Sequence, residues 1–546
     1  MMSWQATSLS VSLVFAQAAV PAASISTRPP LTAANWQEDL AYLAAEWPRR
    51  HKNLFHFVTD ADWNAAVARL NERIPSLERH EIIVELGRLT AMIKDSHSGI
   101  GSFRQEAIDF HRIPIAAEVF TDGVFIVRAS AQSKELVGAK IIKIGNSEIS
   151  AVLDSVAQLI ASDPGNSMRT RDIGPILLGM PEVMNAFRFI PGLDQIPLTL
   201  EKDGRRFTRA VQPVTRTDYD RIQWIDWRPE KPIALGSRNR LFWYAYMPSD
   251  KTIYVQINEM ANDSTEYLAE TFKHAVAEAE SLKVDRFVID LRYNGGGSSS
   301  AVRPMVISLI KSERIDQHGH LFALIGRETA SAAQNFVNDL ERLTNTVFIG
   351  EPTAQNPSFY SDGYVTTLPN SKIMAFSATR WFQTANSKDT RPYVAPDVVA
   401  EWSSNDYRTG RDPGLAAVRS YHARVSLPLQ IVAIAERGGV RQAADSLVAV
   451  GNTGVARYRD LSQSMIRYSF DELWTNGHSE KAMLLLGANA LAHPGDWNAH
   501  DALAGAHENK GEYALALAEY ERARALNPTH RGVLDGIERV TAKLKH

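Results

Sequence analysis

Cysteine is absent from all 546 residues, which excludes disulfides, thiol nucleophiles and cysteine-held zinc at the outset. An excess of charge is also missing, with 59 Lys and Arg set against 62 Asp and Glu. Without a basic surplus or a long basic run, the chain carries no electrostatic footprint for nucleic acid. No stretch reaches the roughly eighteen apolar residues that a membrane-spanning helix needs. The 15 histidines are scattered without HExxH spacing, and nothing in the sequence implies a metal or another cofactor. What is present is the composition of a globular protein, 45% apolar and 22% charged, in a chain too long for one core.

The N-terminus, "MMSWQATSLSVSLVFAQAAVPAASIS", has a short apolar centre and small residues suited to cleavage near Ala18 or Ala23, but no positive leading region. Residues 1–30 are therefore expected to be a signal peptide or a disordered leader. Export to the periplasm or beyond follows, with no transmembrane segment in the mature chain. Residues 31–105 read as a helical part. "NWQEDLAYLAAEWPRRH" and "DADWNAAVARLNERI" place apolar residues at three-four spacing behind Asn or Asp caps, and a third helix ends in "KDSHSG" with Ser76 as its cap. Residues 106–230 switch to short apolar runs, from "IPIAAEVF" to "FTRAVQPV", parted by turn residues, which marks a β-rich domain closed by a Trp- and Pro-containing linker. Over 231–412 strands alternate with helices, as in "TIYVQIN", "DRFVIDLR", "LFALIG" and "TVFIGE", and the sheet should be at least partly parallel. Residues 413–546 are helical. Gly477, Ala482, Leu486 and Pro494 recur 34 residues later as Gly511, Ala516, Tyr520 and Pro528, the period of a tetratricopeptide. Two repeats are fewer than the three or so that stand alone. The helix near "SLPLQIVAIAERGGVRQAADSL" is expected to supply a neighbour.

Three segments hold chemistry. "VIDLRYNGGGSSS" is a strand running into a glycine-rich loop, whose N–H groups suit a phosphate or a developing oxyanion. No Lys-Ser/Thr follows, as a phosphate cradle would require. Asp290 and Asn294 are placed to hold the loop's shape. In "ETASAAQ", Ser331 opens a helix near the positive end of its dipole, although Ser331 and Gln334 also spell a capping box. In "KDSHSGIG", His97 stands beside a turn as a general base or as a histidine bonded to backbone.

The order "DSHS", β-rich insert, "DLRYNGGG", "ETASAAQNF…IGEPT", "YVAPDV" resembles the tail-specific, or C-terminal-processing, serine peptidases over roughly residues 35 to 412. The resemblance implies a ClpP/crotonase-like α/β core with a helical front part, and a PDZ-like domain around "ELVGAKIIKIGNSEI". It implies Ser331 as nucleophile and the N–H groups of Gly296 and Ala332 as oxyanion donors. The better-known branch draws its base from a lysine 25 residues after the serine; here that position is Asn356, in the "GEPT" loop. The tricorn-like branch instead uses a histidine preceded by a serine, which Ser96-His97 matches. Its carboxylate falls near Asp389, while Asp397 reads as bracing the turn after Pro396 and Lys372 is a rival base.

These readings imply a serine peptidase acting on extended or unfolded polypeptides, with a protein partner for the tetratricopeptide-like tail. The competing classes are a catalytically inactive peptide-binding protein on the same fold, favoured by loss of the lysine, and a small-acyl esterase or amidase.

Overall fold

The computed structural model describes residues 31–101, 103–228, 230, 232–387, 389–422, 426–452 and 458–545, so the expected leader lies outside the described residues. The chain divides between Tyr421 and His422 into two compact units.

The first unit is built on a six-stranded sheet in the order Val398–Val399, Val347–Gly350, Leu321–Ile325, Arg286–Asp290, Thr252–Ile257, Phe242–Met247. The first five strands pair in parallel and the last is antiparallel. Every residue of Thr252–Ile257, Leu321–Ile325 and Val347–Gly350 is buried, because helices cover both faces. On one face Ile253, Val255, Phe287 and Ile289 pack with Phe272, Met305 and Phe336 of the helices Leu268–Leu282, Val302–Ile310 and Ala332–Leu343. On the other, Tyr254, Val288, Phe322 and Ile349 pack with Leu415 and Val418 of Pro413–Ser420. That short helix therefore belongs to the α/β core rather than to the helical tail. Parallel strands bring their carboxyl ends to one edge, where the loops after Asp290, Ile325 and Gly350 meet.

The β-rich segment forms a second, antiparallel sheet in the order Ile115–Phe120, Gly123–Ala129, Lys140–Ile144, Ile196–Lys202, Arg205–Val211, with Ser147–Glu148 beside the third strand and Ile225–Asp226 beside the second. The expected linker is thus partly structural. Its Trp227 packs against Phe125, with ring centroids 5.8 Å apart, and occupies space a side chain at Gly138 would need. Three helices, Ile149–Val156, Met168–Leu178 and Pro181–Ala186, lie between strands where sequence reading placed only short runs.

The front helices are Ala33–Arg50, Asp60–Arg73 and Arg79–Ala91. Their caps are Thr32, Thr59 and Glu78, not the Asn, Asp and Ser76 anticipated; Thr32 with Asn35 and Glu78 with Glu81 form reciprocal boxes. Trp47, Trp63, Ile83, Ile126, Ile141, Leu200, Leu368 and Ile373 share one core. The front helices, the antiparallel sheet and the hairpin Ser358–Thr367/Met374–Gln383 are thereby one packed body. This body carries the "DSHS" turn. Gly99 bridges Phe376 of the hairpin, and the Ser98 hydroxyl accepts the Ala378 N–H at 2.9 Å.

In the second unit, helices start at Ser479 and Trp497 and again, 34 residues on, at Tyr513 and Arg531. Ala482 and Ala516 are fully buried, so small residues sit inside the helix pairs, and Leu486 is fully buried beside them in sequence. The helix Leu427–Gly451, kinked at Gly439, packs Ile431, Val432, Ala443 and Leu447 against Ala482, Leu485 and Ala488, supplying the expected neighbour. Among the described residues, no helix is long and apolar enough to cross a membrane.

Candidate active site

Ser331 stands between the strand Leu321–Ile325 and the helix Ala332–Leu343 with φ +57° and ψ −122°. For a residue with a Cβ this backbone is strained, at a cost of about 1–3 kcal/mol, and strain of this kind gathers at functional turns. The capping-box reading does not hold. The Ser331 side chain caps nothing, and Gln334 donates to Asn338 Oδ1 at 2.8 Å instead. The hydroxyl is left free at the helix's start. At the first helical position, the Ala332 N–H has no carbonyl within the helix to bond.

The glycine-rich loop lies directly on the serine. A Cβ on Gly296 would fall 2.4 Å from Ser331 Cβ and 3.0 Å from its Oγ, and Gly296 has φ +114°. Only glycine fits. The Gly296 N–H donates to Asn294 Oδ1 at 2.9 Å, so it is not the free oxyanion donor expected of it. Asn294 supports the loop as anticipated: its Nδ2 holds Ile257 O at 2.9 Å, and its carbonyl accepts the Ala330 N–H at 3.1 Å. Asp290 acts further back, where its carboxylate accepts from Tyr254 Oη at 2.5 Å and from Arg292 at 2.6 Å; Arg292 also grips Asp412. Replacing Gly296 by alanine is expected to push Ser331 out of register and lower kcat by about 10²-fold. Steady-state rates read beside the unfolding midpoint separate this from simple destabilisation.

Ser331 and the "DSHS" turn meet through one side chain that sequence reading passed over. Gln355, fully buried, accepts the Ser331 N–H on Oε1 at 2.5 Å. Its Nε2 lies 2.8 Å from Ser96 Oγ and 3.0 Å from His97 Nδ1. Ser331 and His97, 234 positions apart in sequence, are thus joined by a single carboxamide. Ser96 Oγ is also 3.4 Å from His97 Nδ1, and Phe359 stacks on the imidazole with centroids 6.0 Å apart. No hydrogen bond links the Ser331 hydroxyl directly to His97.

Two buried carboxylates shape the turn. Asp95 accepts the His97 N–H at 2.8 Å, the Ser98 hydroxyl at 2.5 Å and His51 Nε2 at 2.8 Å. Burial alone would raise its pKa, but the His51 hydrogen bond, His97 and Ser98 bring it below the usual range. Asp163 accepts the Ser96 N–H at 2.9 Å and the Asn356 N–H at 3.0 Å, clamping the turn to the "GEPT" loop. Burial and the neighbouring Asp95 push its pKa up to about 6. Although His97 is half-buried as a residue, desolvation of its ring lowers its pKa to about 4; Asp95 opposes the shift, Arg169 adds to it and Asp362 opposes it. His97 is therefore neutral at pH 7.

The remaining candidates lie elsewhere. Asp389 does not partner His97. Both its oxygens are taken by Arg391, at 2.9 and 2.6 Å, and Arg391 also holds Glu341. Asn356 contributes its backbone N–H to Asp163 and offers no base. Lys372 sits in the hairpin turn at φ +63°, its ammonium 2.7 Å from Pro369 O and exposed to solvent. Asp397 braces the strand Val347–Gly350, accepting the Phe348 N–H at 2.8 Å. Among the described residues, no group of three or more His, Asp or Glu is placed to hold a metal.

The family model described as Peptidase family S41 matches residues 251–318, which span two of the parallel strands, Thr252–Ile257 and Arg286–Asp290, and the glycine-rich loop. No curated protein matches. Among solved structures, mature CPAF complexed with lactacystin is 13% identical, covering 71% of this chain and 98% of its own, with a TM-score of 0.50. Mature CPAF alone is 12% identical over 72% and 99%, with a TM-score of 0.49. The photosystem II D1 C-terminal processing protease is 15% identical over 67% and 92%, with a TM-score of 0.31. At such identities the likeness to the first is one of fold. The family match lies on strands that feed the glycine-rich loop, so this stretch is similar to peptidase family S41, and the chain shares the fold of mature CPAF.

Proposed function

We propose that the chain is a serine peptidase of family S41 that cleaves extended or unfolded polypeptides with Ser331 as nucleophile and His97 as general base. The observation that carries this reading is the Gln355 carboxamide, bonded at once to Ser331 and to Ser96-His97. Ser331 Oγ attacks the scissile carbonyl carbon while His97 takes its proton. The oxygen's developing charge falls to the Ser331 and Ala332 N–H groups at the positive end of the helix. His97 then returns the proton to the leaving amine, and the acyl-enzyme is hydrolysed by water that His97 deprotonates in turn.

The antiparallel sheet and its helices suit a PDZ-like module. Its last strand, Arg205–Val211, is exposed at the sheet edge and carries Arg205, Arg206 and Arg209, an arrangement fit to take an extended segment by strand addition. The 34-residue helix pairs suit a tetratricopeptide-like partner site, and the sequence of residues 1–30 suits export.

Substrate class is tested by offering an unfolded protein, the same protein folded, and p-nitrophenyl esters. Fragments from the unfolded form alone are expected. Ester turnover with no fragment from any polypeptide would assign the site to small acyl substrates instead.

A further inference from the structure

The contact that joins the site also closes it, an inference that rests on the assignment of Ser331 and His97 above. A backbone N–H only donates, so the Gln355 atom facing the Ser331 N–H at 2.5 Å has to be the oxygen. The amide nitrogen therefore faces Ser96 Oγ and His97 Nδ1. An amide nitrogen donates and does not accept, so Nδ1 is the acceptor, and the single proton of the neutral ring sits on Nε2. Nδ1 is capped and Nε2 already carries hydrogen. Whichever nitrogen is turned toward Ser331, the resting imidazole has no lone pair free to take the hydroxyl proton.

We propose that the Gln355 carboxamide is a built-in mimic of a scissile amide, which holds the resting site shut until a substrate carbonyl displaces it. Its C=O lies on the Ser331 N–H, as a substrate's carbonyl would, and its NH₂ lies on the base, as a leaving amine would. A substrate that claims the Ser331 N–H removes the bond that fixes the amide's orientation, and the same displacement uncovers Nδ1. In a Ser-His-Asp triad the carboxylate accepts the Nδ1 proton and leaves Nε2 free; an amide there imposes the opposite tautomer and costs about 10⁴ in kcat. The Gln355 backbone is fixed on both sides. Ala354 N–H donates to Thr329 O at 2.9 Å, the Thr353 hydroxyl to Gln355 O at 3.2 Å, and Asn356 N–H to Asp163. Release is accordingly a rotation of one side chain rather than the opening of a loop.

Two readouts test this. Nitrogen-15 NMR of the full chain at pH 7, with His97 assigned by its loss in His97→Gln, is expected to show the Nε2–H tautomer; Nδ1–H or a charged ring would overturn the proposal. Fluorophosphonate labelling of Ser331 is expected to quicken at least about tenfold in Gln355→Ala and in the similarly sized Gln355→Met, within the ~10⁴ that a wrong tautomer is worth. Unchanged or slower labelling in both variants would overturn it. Failure of the underlying assignment reads differently: labelling of Gln355→Met would then persist when His97→Ala is added.

Discussion

Ser331→Ala is expected to remove peptide hydrolysis almost entirely, by about 10⁶ in kcat, the loss seen when a serine peptidase is deprived of its nucleophile. The fold should not notice. The hydroxyl caps no helix, so the unfolding free energy is expected to stay within about 0.5 kcal/mol of the parent. Ser331→Gly sharpens the contrast. It should be equally inactive yet more stable by about 1 kcal/mol, because glycine adopts φ +57° and ψ −122° without the strain a Cβ brings. Denaturant midpoints measured beside initial rates would expose this opposition between stability and activity. A glycine variant no more stable than the alanine one would remove the argument from backbone strain.

His97→Ala is expected to cost roughly 10⁴–10⁶ in kcat, since nucleophile and base act as a unit. Lys372→Ala, altering an exposed turn, should leave the rate unchanged. The pH profile carries more information than either loss. An ordinary histidine would give kcat/KM rising through about 6.5. Here the folded value is depressed to about 4, so the ring is neutral and the rate flat from about pH 6 upward, with the acid limb near 4. The sign for stability follows from the same shift. Keeping this ring neutral contributes fully above the unfolded value of 6.5, and that contribution is lost as pH falls through 4. An acid limb near 6.5 that disappears in His97→Ala would contradict the burial described for the ring.

Local patterns made most of the scaffold readable in advance. The runs "TIYVQIN", "DRFVIDLR", "LFALIG" and "TVFIGE" became four parallel neighbours because each has an unbroken apolar centre, as strands covered on both faces require. The helices from Ile149 to Ala186 were missed because Pro175 and Gly174 sit inside one of them and their apolar spacing is short. Caps were placed on the wrong residues because Thr32 and Thr59 precede the more conspicuous Asn35 and Asp60.

The site was legible only where a resemblance pointed to it. Ser331 and Gln334 match a capping box in sequence, yet Ser331 takes a positive φ and its side chain makes no cap hydrogen bond, an outcome no spacing rule conveys. Gly296 was expected as an oxyanion donor; it lies against the serine, but its N–H is spent on Asn294. Gln355 and Asp163 carry no motif at all. Their roles arise from long-range packing that sets the "GEPT" loop against the "DSHS" turn. Asp389 drew attention by its nearness to "PD", while Arg391, two residues on, holds its charge.

Mass-spectrometric mapping of fluorophosphonate adducts at pH 7 tests the central claim most directly. The account predicts one adduct, on Ser331, absent from Ser331→Ala and lost from His97→Ala. An adduct on another residue, or none in either the parent or Gln355→Met, would contradict it.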